Sequence, residues 1–353
     1  MQEKNKTDLH QKVSRNTFLD FTKGVLILLV LLGHTIQYAS GKDYLSQMSY
    51  FDCWAFKLIY GFHMPLFMVI SGYLFYYSIS SKKALKIVEG KLRTLIVPIF
   101  SFAFIVWLLH FHSDYSFFDQ IRNYLSRTRY TLWFLWALFY CSMGVLLVHL
   151  FAKDNVIVCI VLVLLSYLTP DKWFSELYKF MFPCFLFGYY AHKYDWTVFF
   201  KKNIKVIAGV ATVLYALAMF AYYDVNTYVY MSGSCVLKNG VLDWHQLFIN
   251  VYRTLVGICG SVAFASLLYL LHGFFPKDNK LERWLVALGT MTMGIYCFQD
   301  YFWILYSNHI DWTVKPIILN QLLVFLVSLA VSYLVTVAVK HIKVLNVLFL
   351  GGR

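Results

Sequence analysis

Charged residues are scarce in this chain of 353 amino acids. They make up 14% of it, whereas an ordinary soluble domain carries about 25%. Acidic residues are the scarcer kind, 18 against 31 basic residues, which leaves a net charge of +13. Neither a basic helix nor an RNA-binding pattern accompanies that excess. The charge therefore indicates the cytoplasmic loops of a membrane protein, and no nucleic-acid partner is expected.

Paired cysteines and internal repeats are missing as well. The seven cysteines include no C-x-x-C pair, so neither a redox motif nor a metal site is expected. Cys53 and Cys235 fall in predicted outer loops, and a disulfide between them stays open in an oxidising compartment. The lack of a repeat disfavours the transporter folds that are built from repeats.

Long hydrophobic runs are abundant in the sequence. Hydrophobic residues make up 60% of the chain and aromatic residues 20%, and runs long enough to cross a bilayer recur throughout. The ten predicted spans cover residues 18–39, 56–79, 93–111, 131–151, 155–169, 174–192, 203–223, 247–272, 284–306 and 316–339. The fifth holds only about 15 apolar residues, so we expect it to be tilted, buried or re-entrant.

Basic residues set the predicted orientation. With ten spans and the N-terminus inside, the inner segments hold 20 of the 31 basic residues, the outer loops hold 8, and three fall within spans. Positive charge accumulates on the cytoplasmic side. We therefore predict an all-α, polytopic protein of the cell membrane with about ten helices. Both termini would be cytoplasmic, with tails at 1–17 and 341–353 around a membrane domain at 18–340.

The first predicted span contains two polar residues, Lys23 and His34. Eleven helical residues amount to three turns plus about 20°, so the two side chains share one face, separated by roughly 16 Å. A cation at bilayer depth costs roughly 2.5–3.5 kcal/mol. This expense favours a functional pair, in which the lysine holds an anionic ligand and the histidine does proton chemistry deeper in the membrane.

Structural explanations for both residues stay open. Lys23 can snorkel to the inner interface, where Asp20, three residues earlier, can pair with it. His34 can be a neutral, buried histidine that is hydrogen-bonded to a neighbouring helix. Residue type and spacing do not decide between these explanations and the functional one.

At five places the sequence resembles acyltransferase family 3, the integral-membrane O-acyltransferases of cell-surface sugars. The blocks, in family order, are FLDFTKGVLILLVLLGH (18–34), GFHMPLFMVISGYLF (61–75), KLRTLIVPIF (91–100), LWFLWALF (132–139) and MGIYCFQDYF (293–302). Together they span nearly the whole chain. Within the family, the chain is similar to the subgroup that contains fucose 4-O-acetyltransferases.

The resemblance implies an O-acetyltransferase with about ten helices. Its partners would be a cytosolic acyl-CoA donor, most often acetyl-CoA, a sugar hydroxyl of a surface glycan or lipid-linked precursor, and membrane lipids. Coenzyme A is polyanionic, so basic groups at the inner face would hold its phosphates. By position these are Lys23 and Arg93. Lys91 and Arg15 are further candidates, for which cytoplasmic loop charge is the alternative explanation.

His34 is the predicted catalytic group, with two roles open. As a general base it takes the proton from the sugar hydroxyl. As a nucleophile it forms an acyl-imidazole, which lets the acyl group cross the membrane without coenzyme A. His63, at the predicted outer end of the second span, either orients His34 or binds the acceptor, or it makes only a structural hydrogen bond. Pro65 is expected to mark the start of that helix.

The ninth predicted span departs from the family pattern. The family often has a histidine where this chain has Gln299, which puts an acid/base role for this helix in doubt. Tyr296, Gln299 and Asp300 are instead predicted to bind the acceptor, because polar groups and aromatic faces recognise sugars. An ion pair with Arg253 or Lys179 is the alternative explanation for Asp300.

Two other functions stay open as alternatives. A secondary transporter or glycan exporter would also have ten spans with charge inside the membrane. A scaffold in a glycan assembly complex, without chemistry of its own, would fit the glutamine in the ninth span. The basic-x10-His pair and the basic cluster near Arg93 favour the enzyme, because an acyl-CoA donor needs an anion site and a sugar transporter does not.

Overall fold

The computed structural model describes residues 16–109, 116–276, 279–309 and 314–352. Arg15 and nearly all of the predicted N-terminal tail lie outside these residues. Within them the protein is almost entirely helical. The strands that the structure describes form one short antiparallel hairpin, in which Leu237 lies opposite Leu242. The prediction of an all-α fold is therefore confirmed.

Sixteen α-helices are described, and the bounds of the helices and strands follow in chain order. They are α1 (Thr17–Tyr38), α2 (Lys42–Ser46), α3 (Trp54–Ser81), α4 (Ala84–Lys91), α5 (Val97–Leu109), α6 (Phe117–Tyr130), α7 (Trp133–Ala152), α8 (Val156–Tyr167), α9 (Ser175–Lys193), α10 (Trp196–Lys202), α11 (Ile204–Ala221), α12 (Val229–Ser232), β1 (Leu237–Lys238), β2 (Val241–Leu242), α13 (Trp244–His272), α14 (Lys280–His309), α15 (Ile317–His341) and α16 (Lys343–Leu350). Short 3-10 turns cover Ser49–Asp52 and Val225–Thr227, and a π-helical turn, Leu92–Ile96, joins α4 to α5 without a break.

Each of the ten predicted spans coincides with one of these helices. Among the described residues, seven helices are long and apolar enough to cross a membrane, namely α1, α3, the continuous α4–α5 unit, α7, α11, α13 and α15. The fifth predicted span corresponds to α8, an apolar helix of 12 residues. The more polar α9 and α14 correspond to the sixth and ninth. The protein is therefore a multi-pass membrane protein.

The directions of packed helices agree with ten crossings. Helices α1 and α14 run parallel, because Gly24 lies against Leu285 near their starts and His34 meets Gln299 farther along both. Helices α3 and α9 also run parallel, because Val69 contacts Gly188 and a full turn later the Tyr73 carbonyl accepts from His192. If α8 did not cross the membrane, α9 would run antiparallel to α3. The parallel contacts between α3 and α9 therefore agree with a crossing by α8.

Side chains in the flanking turns fix several helix starts. The Asn16 carboxamide oxygen accepts from the Leu19 N–H at the start of α1, and Asn155 caps α8 in the same way. Asp243 accepts from the Gln246 N–H at the start of α13. Each cap satisfies a backbone donor that has no partner within its helix.

Reciprocal glycines bring two pairs of helices into backbone contact. A Cβ atom on Gly24 would lie 1.9 Å from the Leu285 carbonyl oxygen, and one on Gly289 would lie 1.7 Å from the Asp20 carbonyl oxygen. Helices α3 and α9 meet in the same manner through Gly72 and Gly188. Small residues permit such close approach in membranes, where apolar burial alone does not favour helix association.

Two boundaries differ from the sequence prediction. The third span starts at Ala84 rather than at residue 93, so Arg93 lies in the π-helical turn within a continuous helix. Helix α3 starts at Trp54, which places His63 more than two turns inside it and Pro65 in its interior. The start predicted at Pro65 is therefore wrong, because the apolar run extends N-terminal to the proline and continues the helix.

All seven cysteines lie among the described residues, and none of them forms a disulfide there. The Cys235 thiol donates to the Leu237 carbonyl at 3.4 Å. The disulfide that the sequence left open between Cys53 and Cys235 is not formed in this structure.

We expect Gly289→Ala to destabilise the protein, because the added methyl group would meet the backbone carbonyl of Asp20, which cannot move alone. Overpacking of this kind costs about 1–3 kcal/mol. Thermal unfolding in detergent would show the lower melting temperature. Gly209→Ala in α11 is the matched control, because its Cβ meets nothing within 4 Å and alanine is the better helix former. Equal melting temperatures for the two variants would contradict the contact.

Candidate active site

Two cavities lie along α1 inside the helix bundle. We call the first the lysine cavity. It measures about 180 Å³, begins at Lys23 and is lined mostly by apolar side chains such as Ile70, Leu95 and Met293. We call the second the histidine cavity. It measures about 50 Å³ and is lined by His34 and His63 together with aromatic side chains.

Three side chains line both cavities and separate them. They are Val30 from α1, Met64 from α3 and Tyr296 from α14, and we call them the septum. The Tyr296 hydroxyl also accepts from the Phe134 N–H at the start of α7, at 3.4 Å. Because each of these side chains lines both cavities, the septum is only one side chain thick.

Lys23 lies where the first sequence motif predicted an anion-binding group. Its ammonium group pairs with Asp20 at 2.6 Å, which confirms the expected pairing. The lysine also lines the lysine cavity and keeps 22% of its side chain exposed. The side chain therefore faces an internal space, which a lysine that only snorkels to the interface does not require.

The other predicted coenzyme A ligands lie at the same end of the bundle but outside the cavity lining. Arg93 is exposed and packs against the C-terminal Gly352. The Lys91 ammonium lies 4.7 Å from the centre of the Phe75 ring. Leu95, half a turn beyond Arg93, does line the lysine cavity. The structure thus brings Lys23 into the cavity and leaves Arg93 and Lys91 outside its lining. All three lie at one end of the bundle, which we call the basic end.

His34 is held by a hydrogen bond to Gln299 on α14. Its Nδ1 atom lies 3.2 Å from the Gln299 Oε1 atom, and Trp303 Nε1 donates to the same oxygen at 3.3 Å. The His34 ring also lies beside the stacked rings of Tyr38 and Trp303, at centroid distances of 6.2 and 6.3 Å. The neighbouring-helix hydrogen bond that the sequence offered as a structural explanation is therefore present.

The indole of Trp303 assigns the tautomer of His34. An indole nitrogen only donates, so the Gln299 atom that it faces must be the oxygen. The His34 Nδ1 atom, facing the same oxygen, must then carry a hydrogen. In the neutral ring its Nε2 atom keeps a lone pair, and this atom has no hydrogen-bond partner among the described residues. This nitrogen is therefore able to accept a proton or to attack a carbonyl carbon.

The arrangement leaves one hydrogen-bond donor of Gln299 without a partner among the described residues. Its Nε2 group is buried and has no hydrogen-bond partner in the part of the chain that the structure describes. Buried donors are rarely left without a partner, and an exception calls for an explanation. Holding the His34 ring in one tautomer supplies that explanation. Helix α14 can therefore orient the His34 ring without a histidine at position 299.

His63 lies on the wall of the histidine cavity and is 3% exposed. Its Nδ1 donates to the Ile59 carbonyl at 2.7 Å. The structural hydrogen bond that one reading predicted is thus present. In the neutral ring, the Nε2 atom of His63 is then an acceptor. The cavity is therefore lined by two imidazoles, each with Nδ1 engaged.

The three predicted acceptor-binding residues of α14 separate in space. Tyr296 belongs to the septum, Gln299 holds His34, and Asp300 lines neither cavity. The alternative ion pair for Asp300 is wrong, because Lys179 pairs with Asp171 at 2.7 Å and Arg253 bonds other groups. The Asp300 carboxylate lies within electrostatic range of the Tyr38 hydroxyl, beyond His34 along α1.

A loop between α11 and α13, residues 223–236, closes the histidine cavity at the end opposite Lys23. Several of its residues line the cavity, among them Tyr223, Tyr228 and Tyr230. We call this segment the anchored loop, because polar side chains hold its backbone. Gln246 donates to the Gly233 carbonyl at 3.2 Å, and Asn250 donates to the Ser234 carbonyl at 2.7 Å.

Asp171 holds the anchored loop from the other side. Its carboxylate accepts from the Ser234 and Cys235 N–H groups at 2.6 and 2.9 Å. It also pairs with Lys179. Partial burial opposes ionisation of the carboxylate, but these donors outweigh it and hold the pKa of Asp171 below its ordinary value. The aspartate is thus ionised while it holds the loop.

Sequence reasoning missed Arg253 as a site residue. It was considered only as a partner for Asp300, although it is a cation inside an apolar helix, as Lys23 is. That same signal would have singled it out. In the structure its side chain is 2% exposed and lines the histidine cavity.

Comparisons with known proteins agree with the motif order. The model of a family described as acyltransferase domain matches residues 16–338. The nodulation protein NolL of Mesorhizobium japonicum is 26% identical over 294 residues, which cover 81% of this chain and 76% of that protein. The nodulation protein NolL of Sinorhizobium fredii is 30% identical over 298 residues, which cover 81% and 77%. No solved structure matches the chain.

We expect Asp171→Asn to lower the melting temperature at neutral pH, because it removes a charge that Lys179 and the loop N–H groups bind. A carboxylate whose pKa is lowered by folding stabilises the protein above its unfolded pKa of about 3.9. That contribution disappears as the pH falls through the lower folded pKa. Melting temperatures of both proteins at pH 7, 5 and 3 test this.

The difference between wild type and Asp171→Asn should be equal at pH 7 and 5 and smaller at pH 3. Asp224→Asn, in the same outer region but without a lysine partner among the described residues, serves as the control. A difference that is unchanged at pH 3 would mean that the ionised carboxylate is not what stabilises the loop.

Proposed function

Since this chain belongs to acyltransferase family 3, we propose that it moves an acetyl group from acetyl-CoA to a sugar hydroxyl of a surface glycan or its lipid-linked precursor. The protein is a membrane acyltransferase. The transporter alternative loses its support with that membership. The donor, the acceptor and the roles of single residues are the parts that we propose.

The observation that carries the proposal is the alignment of the two cavities along α1. One begins at a lysine, the other contains a histidine with a free Nε2 atom, and only the septum separates them. A thioester on a long, thin pantetheine arm needs such a path, with an anion site at one end and a proton acceptor at the other. The basic end of the bundle would face the cytoplasm, where coenzyme A is found.

Lys23 would bind a phosphate of coenzyme A at the start of the lysine cavity. Its ammonium group is already ordered by Asp20 and still partly exposed. Arg93 is exposed at the same end and would bind a second phosphate, for which a guanidinium is well suited. Lys91 would add positive charge to this end. The apolar lining of the lysine cavity suits the pantetheine arm.

His34 would act on the sugar hydroxyl as a general base. Its Nε2 takes the hydroxyl proton as the oxygen attacks the thioester carbon, and the departing thiolate takes the proton back. The alternative, an acyl-imidazole on the same nitrogen, uses the same tautomer. Both roles need Nε2 unprotonated and Nδ1 held, which is the arrangement that Gln299 supplies. His63 would orient the acceptor hydroxyl from the opposite wall.

The size of the histidine cavity supports acetyl over longer acyl groups. A single water needs at least about 10–15 Å³ of such space, so 50 Å³ holds only a few heavy atoms. An acetyl group and a hydroxyl oxygen fit this volume. The rest of the acceptor would lie beyond the cavity, near the tyrosines of the anchored loop and Asp300.

We expect His34→Ala to lower acetyl transfer by about 10²-fold or more, which is the usual contribution of a general base. Gln299→Leu should lower transfer by up to about 10²-fold, because the His34 ring then loses its orientation. Purified protein in detergent would receive acetyl-CoA, with and without glycan extract from the host. Release of free thiol reports both hydrolysis and transfer.

Gln321→Leu is the matched control for Gln299→Leu. The Gln321 amide donates to the hydroxyl of Ser40, just after the end of α1, at 2.8 Å, but it does not contact His34. Its variant should keep wild-type activity. Full activity of His34→Ala would refute the catalytic assignment. Equal losses of activity in both glutamine variants would show that Gln299 acts only through packing.

We expect Lys23→Gln to raise the KM for acetyl-CoA roughly 10-fold or more, because a charge-assisted hydrogen bond to a phosphate is worth about 1.5–3 kcal/mol. The effect should vanish with acetyl-pantetheine, which has no nucleotide phosphates. Lys86→Gln, an exposed lysine at the basic end that does not line the cavity, is the control. An equal loss with acetyl-pantetheine would show that Lys23 does not bind phosphate.

A further inference from the structure

Arg253 places a buried cation in the wall of the histidine cavity. It lies on α13, a helix otherwise apolar enough to cross the membrane, and its side chain is 2% exposed. Removing a charge from water costs several kcal/mol unless partners replace the solvent. An arginine at this depth is therefore expected to have either a complete set of partners or a function.

The partners of Arg253 are neutral. Its Nη2 group donates to the Gly233 carbonyl at 2.7 Å and to the Asn250 side chain, and its Nη1 group lies 3.3 Å from the Ser232 hydroxyl. The guanidinium also lies 5.5 Å from the centre of the Phe180 ring. Among the described residues no carboxylate forms an ion pair with it. Its charge is therefore only partly compensated.

One donor of the guanidinium is unused. The Arg253 Nε group is buried and has no hydrogen-bond partner in the described part of the chain. Asp171 and Glu176 act on the guanidinium only at longer range, and Asp171 is already engaged by Lys179. A cation with incomplete compensation thus faces the same cavity as His34 and His63.

We propose that the Arg253 guanidinium stabilises the negative charge that develops on the acyl carbonyl oxygen during transfer at His34. The inference rests on the proposed function, because it assigns a residue to the same reaction. Donors and charges that are placed before the reaction starts are often the largest contribution to catalysis of acyl transfer. Arg253 is the cation that the structure places in the lining of this cavity.

The step balances with the groups already named. The sugar hydroxyl oxygen forms a bond to the thioester carbon, its proton goes to His34 Nε2, and the carbonyl electron pair moves onto the oxygen. Arg253 stabilises that oxyanion. When the carbonyl re-forms, the carbon–sulfur bond breaks, and the thiolate leaves with the proton from His34. Neither a further reactant nor an oxidant is required.

Two other roles for Arg253 predict different behaviour. It would bind an acidic group of the acceptor only if that group fitted a cavity of about 50 Å³, which already has to hold the reacting atoms. It would serve only as a loop anchor if its bond to the Gly233 carbonyl were its whole contribution. Gln246 also donates to that carbonyl but does not line the cavity. A variant of Gln246 therefore removes an anchor of the loop without removing a charge from the cavity.

The test compares Arg253→Lys, Arg253→Gln and Gln246→Ala in the thiol-release assay. Each is measured with water, a neutral methyl glycoside and an acidic sugar as acceptor. We expect Arg253→Gln to lower kcat by about 10²–10³-fold with every acceptor, with little change in KM. Arg253→Lys keeps the positive charge but lacks the planar guanidinium. Its kcat should lie between those of Arg253→Gln and wild type. Gln246→Ala should keep the wild-type kcat.

Several results would overturn the inference. They are unchanged kcat in both Arg253 variants, a loss confined to the KM of the acidic sugar, and an equal loss in Gln246→Ala. If Arg253→Gln does not fold, the kcat of Arg253→Lys decides, with its melting temperature as the check on folding. An active His34→Ala would instead contradict the proposed function, so the two failures are distinguishable.

Discussion

The backbone contact between α1 and α14 is the constraint on which the candidate site depends. Gly24 and Gly289 allow each helix to reach the carbonyl groups of the other. Ten residues farther along each helix, at about 15 Å of rise, lie His34 and Gln299. Because the helices run parallel from a fixed contact, equal spacing brings the two polar side chains to the same depth. A side chain at either glycine would separate the helices and with them the hydrogen bond that assigns the His34 tautomer.

The same packing divides the interior into two compartments. Helix α3, held against α9 by its own glycines, supplies Met64 and His63, while α14 supplies Tyr296. The septum therefore consists of side chains on helices whose backbones are already fixed. An apolar path from Lys23 ends at this septum, and beyond it two imidazoles and one guanidinium line a small space. Such a division allows a coenzyme to remain on the basic side while its acyl group reaches the other.

Much of this was predictable from the sequence, and the rest was not for identifiable reasons. Apolar runs located a helix at each of the ten predicted spans, and the order of five motifs predicted the family that the comparisons confirm. The shared face of Lys23 and His34 followed from helical geometry alone. The start of the third helix was misplaced, because hydropathy does not distinguish a helix end from a polar stretch, and the start expected at Pro65 was wrong because that proline lies inside α3. The alternative ion pair for Asp300 was wrong, since spans this uniformly apolar do not reveal which side chains meet.

The sequence by itself determined the class of the protein, its membrane spans and the chemistry available on α1, because hydrophobicity, charge and helical repeat are local properties. Only the tertiary structure decided that Gln299 holds His34, that Tyr296 lies in a septum and that Arg253 shares the cavity. These are relations between helices that are more than 200 residues apart along the chain in the case of α1 and α14. They follow from how closely backbones approach at a few glycines, and no local pattern encodes the rotation of one helix against another.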